Sequence, residues 1–161
     1  MRKTFIAALF AVFTSLTASA QFEIGKVYVS GALSGFDLNY SGSKELKLNI
    51  DAKGGYMFED NWMALGQTSY SHSGQKGVSD AVTAGIGLRY YIEQNGIFLG
   101  VSGKYVHGKN YNDVMPGVEV GYAFFLSRTV TVEPSLYYDQ SFKNHSDFST
   151  IGVRIGVGVY L

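Results

Sequence analysis

The chain has 161 residues, with 13 basic and 13 acidic side chains, 20 glycines, 12 tyrosines and no cysteine. This length predicts one domain, the balanced charge gives no electrostatic reason to expect nucleic acid as a partner, and the lack of cysteine excludes a disulfide framework and thiolate chemistry. Abundant glycine and tyrosine with only two prolines favour an all-β protein.

The first twenty residues have the pattern of a cleavable signal peptide. Arg2 and Lys3 precede an apolar stretch from Phe5 to Leu16, and Ala18 and Ala20 supply the small residues that signal peptidase recognises. A membrane-spanning helix is the alternative, but the apolar stretch is short for a span of about 20 residues. We therefore expect a signal peptide at 1–20, followed by one exported domain at 21–161. Loss of Arg2 and Lys3 leaves 11 basic residues against 13 acidic ones.

Eight segments of the exported part show the alternation of apolar and small or polar residues that predicts β-strands. In chain order they cover residues 24–33, 45–58, 62–71, 80–92, 97–106, 113–126, 129–138 and 150–161. Short connections rich in Asn and Gly follow the second, fourth and sixth segments, and longer polar connections follow the odd ones. This layout is typical of an eight-stranded antiparallel up-and-down transmembrane β-barrel, with tight turns in the periplasm and longer loops outside.

The two faces of the predicted strands differ in a way that favours a membrane barrel. In the fourth segment Val82, Ile86 and Leu88 lie on one face, and Gly85, Gly87 and Arg89 on the other. A soluble barrel of the lipocalin type, with the apolar face inward, also satisfies this alternation. A water-facing exterior would carry many charges, however, whereas this polar face is mostly small residues with one or two charges per strand. For the first and third strands, the sequence does not decide which face points outward.

Aromatic residues of the apolar face collect near the strand ends, as expected for interfacial girdles. Those near the tight turns are Phe58, Trp62, Tyr90 and Phe124, and those near the loops are Tyr70, Tyr105 and Tyr138.

Charges on the opposite face predict a network inside the lumen, consisting of Asp51, Lys53, Arg89, Lys104, Glu119, Glu133 and Arg154. Counted from the tight-turn ends of their strands, Asp51, Lys104, Glu119 and Arg154 lie at the same depth. We expect Lys104 to pair with Glu119 on the adjacent strand, and Arg154 to pair with Glu133 or Asp51. Because an unpaired buried charge costs several kcal/mol, and eight strands enclose a space just wide enough for side chains, the network predicts a plugged lumen rather than a pore.

Three strand-turn-strand segments are characteristic when taken together: GGYMFEDNWMALG (54–66), GLRYYIEQNGIFLG (87–100) and VGYAFFLSRTVTVEPSLYY (120–138). In this order they resemble the small outer-membrane β-barrel family often labelled porin-like. The resemblance implies a barrel similar in build to the OmpX and OmpA types, located in the outer membrane of a Gram-negative-type cell, with both termini periplasmic. It also implies that the last strand closes against the first and serves as an assembly signal. That signal usually ends in an aromatic residue, whereas here Tyr160 is penultimate.

The sequence gives little support to catalysis, and we expect no enzymatic activity, cofactor or metal site. The histidines are His72, His107 and His145, too far apart in sequence for a typical metal-ligand spacing. They fall in or beside the predicted external loops, where Ser73, Ser146, Asp80 and Asp147 are neighbours in sequence. Because some outer-membrane barrels modify lipid A with His and Ser at the external rim, a lipid A-modifying enzyme is the remaining enzymatic alternative.

The function predicted from these observations is a non-enzymatic contribution to envelope integrity or surface interaction. Narrow transport of small or hydrophobic solutes is the alternative. The expected partners are outer-membrane lipid, lipopolysaccharide and, during insertion, the barrel-assembly machinery, and the barrel is expected to be a monomer. Binding would use loop residues, among them Phe36, Tyr40, Tyr111, Phe142 and Phe148 with Lys44, Lys76, Lys109 and Lys143.

Overall fold

A computed structural model describes residues 22–36, 48–72, 81–93, 95–108, 111–142 and 149–161. The strands are β1 (Val27–Phe36), β2 (Leu48–Glu59), β3 (Trp62–His72), β4 (Ala81–Tyr91), β5 (Ile97–Gly108), β6 (Tyr111–Tyr122), β7 (Phe124–Phe125), β8 (Val130–Asp139) and β9 (Thr150–Tyr160). The short β7 continues β6 after an interruption at Ala123, and both pair with β8. The predicted eight barrel strands are therefore present, with the sixth divided in two. In this part of the chain no helix is long and apolar enough to cross a membrane.

The sheet closes into a barrel because its first and last strands pair. Sequential strands are antiparallel neighbours from β1 to β6, and β8 joins β6 to β9. β9 then pairs with β1, from Tyr28 opposite Tyr160 to Phe36 opposite Val153, with a register shift after Leu33. Backbone hydrogen bonds of 3.0 and 2.8 Å between Val27 and Leu161 extend this seam to the last residue. The closing role expected for the last strand is confirmed.

The tight turns lie where the sequence predicts them. Asn61, between β2 and β3, has a φ of 66°, a left-handed conformation that Asn tolerates better than most residues. Gly96, before β5, has a φ of 73°. Between β7 and β8 the Ser127 hydroxyl accepts hydrogen bonds from the backbone N–H groups of Thr129 and Val130.

One expected long loop proves to be short. The sequence assigns residues 107–112 to a connection, but His107 pairs with Asn112 and Gly108 with Tyr111 in the β5–β6 ladder. Only residues 109 and 110 remain between these strands, and Tyr111 belongs to a strand rather than to a binding loop. The prediction failed because Gly, Asn and Lys are ordinary loop residues, and cross-strand pairing overrides that preference.

The alternation of exposure along the strands separates an outer wall from a lumen. Ile86 is 76% exposed and Ile155 53%, whereas their strand neighbours Arg89 and Arg154 are 1% and 6% exposed. The structure also decides the facing of the two ambiguous strands. Tyr28 and Met63 point inward and are buried, whereas Val29 and Trp62 point outward. The apolar face is therefore the outside of the barrel, which is opposite to the lipocalin arrangement.

Candidate functional site

The lumen brings the seven predicted charges together. All seven lie on the inward face of their strands: Asp51, Lys53, Arg89, Lys104, Glu119, Glu133 and Arg154. The charged side chains in this interior are buried to different degrees, from 1% exposed for Arg89 to 13% for Glu119. They form three layers along the barrel axis, which we call the lower, middle and upper layers, counted from the tight-turn end.

The lower layer is centred on the carboxylate of Glu133, on β8. Its Oε2 accepts hydrogen bonds from the Tyr28 hydroxyl at 2.6 Å and from Nη1 of Arg89 at 2.8 Å. Its Oε1 accepts hydrogen bonds from the Thr131 hydroxyl at 2.9 Å and from the Tyr160 hydroxyl at 3.0 Å. One carboxylate therefore has four donors, contributed by strands β1, β4, β8 and β9, which locks its position in the buried interior.

Aromatic rings support the same arginine. The guanidinium of Arg89 lies 3.9 Å from the centre of the Phe98 ring, a cation–π distance. Its Nη1 also donates to the Tyr91 hydroxyl at 3.2 Å, and that hydroxyl lies 2.7 Å from the hydroxyl of Tyr160. The charge network predicted from the sequence did not include Tyr91 or Tyr160.

The middle layer is centred on Glu119, on β6. The ammonium of Lys53 donates to its two oxygens at 2.8 and 3.1 Å, and Nη1 of Arg154 donates at 3.1 Å. Arg89 approaches to 3.6 Å, which connects this layer to the one below. Arg154 also donates from Nε to Asp51 at 3.1 Å, so that of its two expected partners the structure selects Asp51. The carboxylate of Glu119 is thus shared by three cations, two of which also have a carboxylate of their own: Glu133 for Arg89 and Asp51 for Arg154.

The upper layer contradicts one predicted pair. Lys104 donates to Asp139 at 2.5 Å and does not take Glu119 as its partner. The error arose because depth was counted along each strand separately, whereas neighbouring strands of a barrel are staggered. In the observed register Lys104 lies opposite Met115 and Glu119 lies opposite Gly100, so the two charges are at different levels. Nearby, the buried hydroxyl of Ser141 donates to Asp113. Asp113 and Asp139 were missed because they stand at or beyond the ends of the predicted strands.

An apolar cluster occupies the tight-turn end of the lumen, below the lower layer. Its buried members include Phe22, which precedes β1, together with Met57, Met63, Tyr91 and Phe98. The Phe22 ring stacks on Tyr91, with centroids 3.9 Å apart and an interplanar angle of 15°. Met57 and Met63 contribute apolar bulk from the two strands that flank the Asn61 turn. Phe22 could not be identified from the sequence, since it lies before the first alternating segment.

The seven predicted girdle aromatics all lie on outward positions of the strands. Phe58, Trp62, Tyr70 and Tyr105 are exposed, and Tyr90, Phe124 and Tyr138 are half-buried. Trp62 and Tyr90 are cross-strand partners with ring centroids 4.9 Å apart. Tyr56 and Tyr122, which the sequence reasoning did not include, also face outward toward the tight-turn end.

The candidate catalytic groups give no assembled site in the described residues. Nδ1 of His107 lies 2.7 Å from the side-chain oxygen of Asn112, on the exposed outer rim. His72 is the last residue of β3, and His145, Ser73, Ser146, Asp80 and Asp147 lie outside the described residues. Within the described ranges, no group of three His, Asp or Glu residues is arranged to hold a metal ion.

Comparison with solved structures identifies barrels of the same build. Ail from Yersinia pestis, an outer membrane protein, has a TM-score of 0.61 and 15% identity, over 85% of this chain and 99% of that chain. Neisserial surface protein A has a TM-score of 0.59 and 12% identity, over 84% and 96% of the two chains. The outer membrane protein OprG from Pseudomonas aeruginosa has a TM-score of 0.56 and 13% identity, over 88% and 98%. No protein-family model and no curated protein matches the sequence.

These likenesses establish the fold, a closed eight-stranded antiparallel barrel of the kind found in small outer-membrane proteins. The predicted resemblance in build is therefore confirmed.

Proposed function

We propose that this protein is a non-enzymatic barrel of the outer membrane, which contributes to envelope integrity or surface interaction and carries no open path through its lumen. The observation that carries the proposal is the middle layer. Glu119 binds Lys53 and Arg154 and approaches Arg89, and these four side chains meet across the centre of the barrel. Because every separated charge would be left desolvated, opening this layer costs several kcal/mol.

The outer wall supports the proposed location. Large aliphatic side chains are exposed on every side of the barrel, including Val82 at 51%, Val118 at 55% and Val157 at 51%. A water-soluble protein rarely exposes so continuous an apolar surface, whereas hydrocarbon requires one. The aromatic side chains at the two ends of the strands match the levels at which rings meet lipid headgroups. Both termini then lie on the periplasmic side, with the longer loops outside.

The proposed partners follow from this location. Acyl chains cover the outer wall, and lipopolysaccharide meets the external rim near Tyr70, Tyr105 and Tyr138. The barrel-assembly machinery acts only during insertion. We propose a monomer, because closure by β1 and β9 leaves no unpaired strand edge at the seam through which copies would join.

A deletion strain tests the proposed function. Cells without the protein should become more sensitive to detergents and large antibiotics, or lose adhesion to surfaces, and the wild-type gene should restore the lost property. Replacing residues 37–47 with a short Gly-Ser linker separates the two roles, since adhesion should fall while detergent resistance stays. If deletion instead leaves both properties intact and impairs uptake of a small solute, the transport alternative is correct. An altered acyl pattern in lipid A would identify an enzyme.

A further inference from the structure

The segment before β1 folds under the barrel and covers the tight-turn end of its lumen. Phe22 is only 6% exposed, whereas Ile24 is 61% exposed. Beside its stack on Tyr91, the Phe22 ring contacts Phe125 and Tyr160 at centroid distances of 5.5 and 5.7 Å. Phe22 is therefore the side chain of this segment that is inserted among the buried rings at that end.

This segment belongs to no strand and is held by few bonds. The carbonyl of Phe22 accepts from the backbone N–H of Asn61 at 2.9 Å, and the N–H of Ile24 donates to Oδ1 of Asp60 at 2.9 Å. The N–H of Gly25 donates to the carbonyl of Met57 at 2.8 Å. These three bonds all go to β2 and its turn, whereas β1 is bonded on both sides, to β2 and to β9. Segments with so few bonds open at a lower free energy than the sheet to which they attach.

Gly25 is the point at which the chain turns under the barrel. Its φ is 91°, in the region that glycine adopts without the steric cost that other residues meet. A Cβ at this position would meet nothing within 4 Å, so the glycine is required by the turn and not by packing. The segment thus has a single pivot at one end and a buried aromatic anchor at the other.

We propose that the segment Phe22–Gly25, which we call the stopper, can detach from the tight-turn end of the lumen while the barrel stays folded. When the stopper is docked, it keeps water out of that end. With the stopper undocked, the apolar faces of Met57, Met63 and Phe98 lose their cover and meet solvent. The rings that Phe22 contacts include Tyr91 and Tyr160, which bond to Arg89 and Glu133 of the lower layer. The middle layer has no such link to the stopper, so the stopper closes one end of the barrel independently of the middle layer.

The absence of cysteine permits a direct test with single-cysteine reporters. Ala123→Cys places a thiol within the apolar cluster, where Ala123 is 2% exposed. Ser102→Cys places one on the lumen face opposite Gly117, nearer the loops. Each variant is folded in detergent and exposed to a water-soluble maleimide, and the labelling rate is measured with and without Phe22→Ala. Folding is verified by the shift of unheated protein on gel electrophoresis.

Phe22→Ala should raise the labelling rate at position 123 by about tenfold or more, since burying a ring of this size changes an equilibrium by that factor. The rate at position 102 should stay unchanged, and so should both rates in the control Glu23→Ala, which alters an exposed neighbour. Unchanged labelling at position 123, or equal acceleration at both positions, would overturn the proposal. If Phe22→Ala does not fold, the variant Asp60→Ala replaces it, because it removes the hydrogen bond from the Ile24 N–H to the Asp60 side chain. Faster labelling at position 123 in this variant supports the proposal, and an unchanged rate refutes it.

Discussion

The ammonium of Lys53 lies 2.8 Å from Oε2 of Glu119, although their strands, β2 and β6, are on opposite sides of the barrel. The other ion pairs among the described lumen residues also skip at least one strand, as with Lys104 on β5 and Asp139 on β8. The lumen charges therefore connect walls that the backbone ladder does not connect directly. This arrangement stabilises the barrel cross-section in addition to neutralising charge.

Removing the central carboxylate should be strongly destabilising. Glu119→Ala leaves Lys53 and Arg154 without their shared partner, and breaking a buried ion pair from one side typically costs about 3–5 kcal/mol. The free energy of unfolding, measured by denaturant titration in lipid vesicles, should fall by about that amount. The control Glu59→Ala changes an exposed residue at the tight-turn end of β2. It should change the free energy of unfolding by less than about 0.5 kcal/mol. Equal values for the two variants would contradict the role assigned to Glu119.

Removing one hydroxyl from the lower layer should lower the free energy of unfolding by a smaller amount. Tyr28→Phe removes the donor that lies 2.6 Å from Glu133, and hydrogen bonds to charged groups contribute about 1.5–3 kcal/mol. The same titration should show that loss. Tyr56→Phe is the matched control, because Tyr56 is 51% exposed on the outer wall, and its variant should match the wild type. A Tyr28→Phe barrel as stable as the wild type would show that Glu133 does not need this donor.

Two glycines should respond in opposite directions to the same substitution. A Cβ at Gly158 would come within 2.7 Å of Thr131 Oγ1 and of the Tyr28 ring, whereas a Cβ at Gly103 would meet nothing within 4 Å. Gly158→Ala should therefore lower the free energy of unfolding by about 1–3 kcal/mol through overpacking. Gly103→Ala should leave it unchanged or raise it by about 0.5–1 kcal/mol, since glycine is unfavourable in a strand. A destabilised Gly103→Ala would contradict the assignment of that position to open outer wall.

A charge on the outer wall distinguishes a lipid-facing surface from a water-facing one. Ile155 is exposed midway along β9, and a lysine at the bilayer midplane costs about 2–4 kcal/mol. Ile155→Lys should reduce the yield of folded barrel in vesicles and its unfolding free energy by that amount. Leu126→Lys, beside a tight turn, should cost about 0–1 kcal/mol, as expected near an interface. If both variants behave like the wild type, the outer wall faces water.

The strands and their faces could be predicted from the sequence because lipid and lumen impose different side chains at alternate positions. The alternation does not predict the facing of a strand whose larger side chains point inward and whose smaller ones point outward. On β3 the small residues Ala64 and Gly66 are on the outside, while Met63 and Leu65 point inward, so alternation alone could not orient that strand.

The partners of the lumen charges could be predicted only in part, for a geometric reason: Arg154 pairs with Asp51, one of its two expected partners, but Lys104 does not pair with Glu119. Sequence position gives depth along one strand, but the stagger between strands decides which side chains meet across the lumen. Lys104 was therefore assigned to Glu119 on a neighbouring strand, whereas its partner Asp139 lies two strands away. The burial of Phe22 could not be predicted either, because a single aromatic residue outside the strands is not part of any alternation.

The most direct test of the closed lumen is electrical recording from the purified wild-type barrel in a planar lipid bilayer. With Glu119 holding Lys53 and Arg154 across the centre, the inserted protein should give no steady conductance above the bare membrane. Stable, large conductance steps from the wild-type protein would contradict the account.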